Sequence, residues 1–513
     1  MESRKINHSQ SELLLTTPLF YASGDPHIGH AYTLLLASLT KKYYQLIGKK
    51  VYLLTGVDEH GEKILLNAKN ANLEPQAFVD QISQKFQHLN QALELSSDFF
   101  IRTSSTEHKA FVKSFFNDLV KSGNIYLSQW SGYQCINCET NYSTKYYEKS
   151  NLCEMGHELI IRSEESYFLK VKEFKDWFLD YYQKKHIIFP DHYRSNLETG
   201  IINELEDLSV SRRNLEWGIQ LDKHNFCVYV WFDALLGYLS NPLINKKWKN
   251  KELQIIQIIG KEIFKFHSIY FPLLLEAKKL TLPCKLMVHG WLINQKNRKI
   301  SKSEASLIEK PLPKILQEFS LETLRWYCAY LNWGQDHVFS EELLKEYHNK
   351  YLLNLHGNLI NRLKGILLKN NLTTSKLGSS KDFQVTEFQR EFELGSQLLE
   401  QIQSKIENLE FWWIINQVVS LLENANHLLE KFEPWKLEIS SLEYKELNVL
   451  LYRQLVLASY LFSPIFRESK WQEIKESLNI SNKEEKLDSL FLNCLLNFEG
   501  ISLPKSHNLF VKY

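Results

Sequence analysis

The sequence predicts an α/β protein: a doubly wound parallel sheet split by an inserted subdomain, followed by an all-α helical bundle. Three observations predict it. Strand and helix signals alternate at the start of the chain. The same alternation returns after a loop-rich stretch that holds bunched cysteines. Beyond Asp336 only helical periodicity remains.

Taken in order, residues 12–17 form a short apolar run fit for a buried strand, and Ser23-Gly24-Asp25-Pro26 is a turn. Residues 28–46 have helical spacing, residues 50–55 make a second strand, and residues 56–61 a polar loop. Such alternation calls for crossover helices and a parallel, Rossmann-like sheet. The stretch at 124–162 is short on helical periodicity and reads as an inserted, loop-rich subdomain. Strand signals resume at 227–231, 253–259 and 286–288. The helical half is interrupted by polar stretches at 373–386 and 481–486, and no internal repeat is present. The expected boundaries are 1–114 and 223–345 for the two halves of the sheet domain, 115–222 for the insertion, and 346–513 for the bundle.

A chain of 513 residues is too long for one core, so about two to four domains are expected. At 44% hydrophobic and 24% charged, the composition is that of a soluble globular protein. Lys and Arg total 61 against 60 Asp and Glu, which excludes a globally basic coat; any nucleic acid must meet a local patch. No apolar run is long enough to cross a bilayer, and residues 1–8 lack the apolar core of a signal peptide. The expected compartment is cytoplasmic. An odd count of seven cysteines argues against a disulfide framework.

Two short motifs carry phosphate chemistry. His27-Ile28-Gly29-His30 follows a Pro-containing turn and opens a helix. A helix N-terminus presents N–H groups and a positive dipole end to a triphosphate. Gly29 lets an adenine ring approach the backbone, and the two histidines can donate to phosphate oxygens as charge builds. A capped helix with two surface histidines is the alternative. Lys299-Ile300-Ser301-Lys302-Ser303 has two lysines that can wrap a pyrophosphate; alone it is equally a solvated basic loop. Both motifs occur in this order, each beside a strand–helix unit of the same sheet, and that pairing is the specific signal.

The cysteines form a third motif. Cys135-x2-Cys138 is followed by Cys153-x3-His157. Three thiolates and one imidazole are a tetrahedral zinc set, with all four positions filled by protein, hence structural. The alternative is three free cysteines brought to this spacing by chance.

The two phosphate motifs resemble the HIGH and KMSKS signatures of class I aminoacyl-tRNA synthetases, and their surroundings resemble the methionyl-tRNA synthetase family. The matching segments are Thr17-Pro18-Leu19-Phe20-Tyr21, Thr55-Gly56-Val57-Asp58-Glu59-His60-Gly61, Asp207-Leu208-Ser209-Val210-Ser211-Arg212, Tyr229-Val230-Trp231-Phe232-Asp233-Ala234, Gly260-Lys261-Glu262 and His289-Gly290-Trp291. They spread across nearly the whole sheet-forming half.

The resemblance implies activation of L-methionine with ATP and Mg2+, then transfer to the 3′ end of tRNA(Met), the initiator included. His27 and His30 would contact phosphates, with Lys299 and Lys302 stabilising developing charge. Gly29, Lys261, Glu262, His289, Gly290 and Trp291 would line the nucleotide. Asp58 would face the substrate ammonium, since a buried cation needs a counter-charge; a helix-capping Asp is the alternative. Arg212 would hold Asp58 or the substrate carboxylate, against a surface Arg. Leu19, Tyr21, Trp231, Ala234, Tyr238, His267 and Phe271 would wall the side chain, aromatic rings suiting a thioether, against ordinary aromatic core. Three departures stand out: Ile300 at the motif methionine, Glu262 at a family aspartate and Phe271 at a family tryptophan.

The resemblance also places the zinc knuckle in a connective subdomain near the tRNA acceptor end. The insertion is too short for the editing domain of the leucyl, isoleucyl and valyl relatives. In the bundle, Asn358 and Arg362 share a helix face and Trp435 follows Pro434. By similarity these three would read the anticodon, against a solvated polar face and a packed turn. Lys345, Lys350, Lys364 and Lys369 would meet phosphates. With no further domain after the bundle, a monomer without membrane association is expected. A related class I synthetase for cysteine or another apolar amino acid, and an inactive paralogue acting as a tRNA-binding or regulatory module, are the competing functions.

Overall fold

The computed structural model describes residues 12–142, 144–221, 225–296, 311–369, 374–375, 383–478, 480, 496–497 and 509–513. The chain divides into two compact units. The first holds residues up to Ala37, then Lys50–Trp291 and Gly334–Asp336; the second holds Ser38–Lys49, Leu292–Trp333 and His337–Tyr513.

The first unit is built on β1 (Glu12–Tyr21), α1 (Ile28–Leu46, shared with the second unit), β2 (Val51–Asp58), α2 (Glu62–Asn70), α3 (Pro75–Ala92), β3 (Phe99–Arg102) and α4 (Thr106–Lys121). Next come β4 (Ile125–Cys135), β5 (Thr140–Tyr142), α5 (Thr144–Tyr147), β6 (Ile160–Leu169), α6 (Lys175–Lys184), β7 (Ile188–Phe189), α7 (Asp191–Thr199), β8 (Leu208–Ser209), β9 (Ser211–Arg213) and β10 (Phe226–Val228). The unit closes with α8 (Val230–Ser240), α9 (Pro242–Lys249), β11 (Leu253–Gly260), α10 (Phe271–Ala277) and β12 (Lys285–His289).

Six strands pair in the order β3-β2-β1-β11-β12-β7, all parallel. Leu13, Leu14 and Leu15 of β1 and Ile255, Ile256, Ile258 and Ile259 of β11 are buried. Continuous apolar runs of this kind suit a sheet covered on both faces. The order reverses direction between β1 and β11, and such a switch point opens a crevice beyond the carboxyl ends of the strands.

The expected doubly wound sheet is therefore present, with two local differences. Residues 227–231 do not form one strand: β10 ends at Val228 and α8 begins at Val230. Nearly every residue of α8 is buried, so it lacks the polar face that gives a helix its periodic signal. The stretch at 124–162 is also less irregular than expected. It holds most of a four-stranded sheet, β5-β4-β6-β8, with β4 and β6 paired antiparallel from Ile125↔Leu169 to Gln134↔Ile160. Its strands are largely solvated, which hides the alternation that marks a half-buried strand.

The second unit carries β13 (Leu292–Ile293) and β14 (His337–Val338) beside α11 (Leu312–Glu318), α12 (Leu321–Tyr330), α13 (Glu341–Tyr347), α14 (Asn358–Lys369), α15 (Thr386–Glu407), α16 (Phe411–Phe432), α17 (Leu442–Phe462) and α18 (Glu468–Ser477). A buried apolar stripe on α16, including Ile414, Val418, Leu421, Leu422, Ala425 and Leu429, packs against α17. No helix among the described residues is long and apolar enough to cross a membrane.

Candidate active site

The sheet sets the spacing of the candidate residues. Leu19 pairs with Gly56 and Tyr21 with Asp58 at the carboxyl ends of β1 and β2, while Gly260 pairs with His289 at the ends of β11 and β12. Neighbouring strands lie about 4.8 Å apart, so residues distant in sequence become neighbours there.

At the start of α1 the two histidines stack, ring centroids 3.8 Å apart. The His27 N–H donates to Nδ1 of His30 and the Gly29 N–H donates to Nδ1 of His27, both at 3.1 Å. Each Nδ1 is an acceptor, so each ring carries its proton on Nε2 when neutral, the form that donates to a phosphate oxygen. Phe20 and Phe86 contact His30 edge-on, at 5.2 Å each. A neighbouring imidazole is fixed the other way. His289 Nδ1 faces the Gly290 carbonyl at 2.8 Å and so carries the proton, while Thr33 donates its hydroxyl to Nε2 at 3.0 Å.

Lys261, Glu262, Gly290 and Trp291 converge with Asp336. Lys261 contacts both Asp336 oxygens at 2.7 and 2.8 Å and lies 3.9 Å above the Trp291 ring. The Trp291 N–H donates to Asp336 and its indole to Glu262, each at 2.8 Å. A Cβ at Gly290 would sit 2.2 Å from the Gln335 carbonyl oxygen, so only glycine fits there.

Asp58 ends β2 with only 6% of its surface exposed, and its Oδ1 has no partner among the described residues. Helix α2 has Gly61 at its cap and no side-chain cap bond, so the capping alternative for Asp58 falls away. Burial, then the charge of Asp233, raise the Asp58 carboxyl well above the usual carboxylate range, and Glu139 and Glu59 push the same way. Arg212 is buried; it donates to Ser209 and the Ser211 carbonyl and lies 4.0 Å from the Tyr229 ring centroid. It is not the surface arginine of the alternative reading.

The aromatic residues form a wall. Trp231 stacks on Phe266 at 3.8 Å, and Phe271 meets Tyr238 edge-on at 5.2 Å. Leu19 and Ala234 are buried. His267 sits in a π-helical turn, a distortion that recurs at functional sites. Its Nδ1 faces the Ile263 carbonyl at 3.0 Å and must carry the proton, so Tyr238 donates its hydroxyl to Nε2 at 2.8 Å. Burial lowers the His267 pKa to about 4, which keeps the ring neutral.

Cys135, Cys138, Cys153 and His157 place one donor atom each within 4.8 Å of one another, a group that could hold a metal ion. The turn they define reaches the aromatic wall. The Cys138 carbonyl accepts the Trp231 indole N–H at 3.4 Å, the Glu139 carbonyl accepts the Tyr229 hydroxyl, and the Glu139 carboxylate accepts the Tyr21 hydroxyl at 3.1 Å. Gly61, at φ 117°, makes room for this: a Cβ there would lie 2.6 Å from the Tyr21 hydroxyl.

The family model described as class I tRNA synthetases (M) matches residues 13–155 and 148–364. The methionine–tRNA ligase of Ureaplasma parvum is 36% identical over 516 residues, covering 97% of each chain. That of Mycoplasma pneumoniae is 36% identical over 455 residues, covering 85% of this chain and 87% of its own. The chain belongs to the methionine–tRNA ligase family. A solved Mycobacterium tuberculosis methionyl-tRNA synthetase in complex with methionyl-adenylate superposes with a TM-score of 0.87 at 25% identity, over 98% of this chain and 99% of that one.

Against this family frame, Lys299 and Lys302 lie outside the described residues. In the second unit Asn358 and Arg362 sit on α14; Asn358 is exposed, and Arg362 donates to Asn426 at 3.0 Å. Trp435 is 51% exposed, which excludes the packed turn. Lys345 and Lys350 are exposed, but Lys364 is buried and its pKa is lowered by that burial, so it is not available to a phosphate. Sequence reading gave no role to His60, His108, Asp233, Glu139, Thr33 or Asp336. His60 and Asp233 stand inside family-like segments, yet nothing in their spacing marks them as partners.

Proposed function

We propose that this protein joins L-methionine to ATP as methionyl-adenylate and transfers the methionyl group to the 3′ end of tRNA(Met), the initiator included. One observation carries the reading. A buried carboxylate, an aromatic wall and a nucleotide-facing cluster meet at the carboxyl ends of β1, β2, β11 and β12. The Ureaplasma relative's name and the adenylate in the M. tuberculosis structure support it.

In this reading Asp58 Oδ1 takes the ammonium group. Leu19, Tyr21, Trp231, Ala234, Tyr238, His267 and Phe271 enclose the thioether, and Arg212 holds Asp58 or the substrate carboxylate. Soft aromatic contacts favour sulfur over a shorter or branched chain. A methionine carboxylate oxygen attacks the α-phosphorus and the bond to pyrophosphate breaks. His27 and His30 donate from Nε2 to the phosphates, Lys299 and Lys302 neutralise the leaving charge, and Mg2+ enters with ATP. Gly29, Lys261, Glu262, His289, Gly290 and Trp291 hold the adenosine.

The cysteine turn suits Zn2+ held by Cys135, Cys138, Cys153 and His157. A tetrahedron with metal–sulfur bonds of about 2.3 Å sets its sulfurs about 3.8 Å apart. Cys138 and Cys153 Sγ stand 3.8 Å apart. With four protein ligands the ion is structural: it organises a turn whose small core, among the described residues, is Cys135, Cys153 and Leu159 with a few half-buried tyrosines against them. Residues 115–222 form the connective insertion between catalytic segments 1–114 and 223–345. Residues 346–513 form the anticodon-binding domain, with Asn358, Arg362 and Trp435 on the anticodon. The protein acts in the cytoplasm as a monomer, which light scattering tests.

Amino-acid-dependent ATP–pyrophosphate exchange decides the substrate. Methionine is expected to stimulate it and no other standard amino acid to match it; exchange driven by a different amino acid would overturn the assignment.

A further inference from the structure

Behind the carboxylate that faces the substrate amino group lies a second one. Asp233, on α8, is fully buried and accepts two short hydrogen bonds. His60 Nδ1 donates to its Oδ2 at 2.6 Å and His108 Nε2 to its Oδ1 at 2.5 Å. All three side chains are almost wholly buried. The far ring atoms, His60 Nε2 and His108 Nδ1, are buried with no partner among the described residues. Burial alone would raise the Asp233 carboxyl; the two imidazoles outweigh it and hold it at about 2.

The three residues come from different places. His60 follows the end of β2, two residues beyond Asp58; His108 is on α4; Asp233 lies between Trp231 and Ala234 on α8. His60 acts in both directions, since its backbone N–H also bonds the Asp58 carboxylate while its ring bonds Asp233. A single residue thus ties the carboxylate at the end of β2 to the helix that carries the aromatic wall. Asp58 keeps one buried oxygen, Oδ1, without a partner among the described residues.

We propose that Asp233, clamped by His60 and His108, is a positioning residue for the substrate's amino group: it fixes Asp58 through His60 and adds a second negative charge behind it. This rests on the methionine-activating function proposed above. A network that existed only to hold the fold together would not need the unspent Asp58 oxygen; the Asp233 charge pushes the Asp58 carboxyl toward its neutral form, and an arriving ammonium group is the cation that restores its charge.

The test separates charge, geometry and fold. Asp233→Asn removes the charge, yet its amide can still bond both rings if one imidazole moves its proton to the unpartnered far nitrogen. Methionine and 4-(methylthio)butanoate, which lacks the amino group, are compared on the full-length protein, the second as a competitor in methionine-dependent exchange. Asp233→Asn should raise the methionine KM about tenfold, the scale of one hydrogen bond to a charged group. The ATP KM and the inhibition constant of the des-amino acid should stay unchanged. His60→Asn, which keeps a donor at the δ position, should fall between wild type and His60→Ala, with His60→Ala matching Asp233→Asn. Equal weakening of methionine and the des-amino acid would make the network merely structural and overturn the proposal, as would an unchanged methionine KM. Should Asp233→Asn not fold, the His60 pair and His108→Gln give the same comparison. Wild-type protein inactive with methionine would instead sink the function itself, an outcome distinct from any of these.

Discussion

Gly290 offers the sharpest test of the nucleotide side of the site. Replacing it with alanine would put a Cβ 2.2 Å from the Gln335 carbonyl oxygen, 2.3 Å from its carbon and 2.7 Å from the Asp336 nitrogen. All three are backbone atoms, so no side chain can swing aside. Ordinary contact begins at 3.4 Å, so the two backbones must part by about 1 Å. Asp336 is the hub that holds Lys261 and the Trp291 N–H, and the displacement falls on that cluster. Overpacking of this kind costs about 1–3 kcal/mol of stability. A 1 Å misplacement of binding groups costs about a hundredfold in rate. Gly290→Ala should therefore raise the ATP KM or lower exchange turnover by roughly ten- to a hundredfold while the methionine KM holds. Exchange kinetics and a melting curve measure both. Wild-type ATP kinetics in a folded Gly290→Ala protein would refute the reasoning, because it would show that the 335–336 backbone yields without disturbing the site.

Other perturbations reach other parts. Removing metal with a chelator should release about one zinc ion per chain, expose residues 136–157 to protease and raise the methionine KM, because the Cys138 and Glu139 carbonyls hold Trp231 and Tyr229; metal analysis, proteolysis and exchange check this. His267 and His356 have pKa values lowered by burial to about 4 and about 3, so they stay neutral in the fold while the unfolded rings protonate near pH 6.5. Stability they contribute above that value is lost as the pH falls, by about 2 kcal/mol each between pH 7 and pH 5, and denaturant titrations at the two pH values should show it, with a smaller loss in His267→Gln. Trp435→Ala should weaken tRNA charging about tenfold or more, the scale of one lost base stack, and leave exchange and melting temperature unchanged; lost exchange would make Trp435 structural.

The sheet was legible in the sequence because its strands are long apolar runs, as at Leu13-Leu14-Leu15 and Ile255-Ile256. The same burial that betrays a strand conceals a helix. Val230-Trp231-Phe232 is β-branched and aromatic, yet it opens α8, whose buried surface leaves no polar face to reveal the turn. The cluster that could hold a metal was legible because its spacing is local: all four residues fall between Cys135 and His157. The residues that support the pocket were not. Asp233 meets His60 and His108 across separations of 173 and 125 residues, and Asp336 meets Lys261 across 75. Partners so far apart leave no trace in local spacing. A resemblance to a family points to the proposed substrate-facing positions; only the folded geometry shows what stands behind them.

That division follows from how the site is built. A parallel sheet is a ruler: once Tyr21 pairs with Asp58 and Gly260 with His289, the residues just beyond those strand ends are placed by backbone hydrogen bonds alone. Helix α8 has no such register. It packs against β1, β2, β3 and α4 by side-chain contact, and it carries Trp231, Ala234 and Tyr238. Packed apolar surfaces fill volume well but resist sliding and rotation weakly unless something polar fixes them. Polar ties along α8 and its entry include Tyr229 to the Glu139 carbonyl, Trp231 to the Cys138 carbonyl, Asp233 to both histidines and Tyr238 to His267. Those of Tyr229 and Trp231 run to the cysteine turn, and that of Asp233 runs to the strand end that bears Asp58 and to α4. The helix is thereby held in register with both the cysteine turn and the sheet, as the methionine pocket proposed above requires of a wall that discriminates by about one methylene.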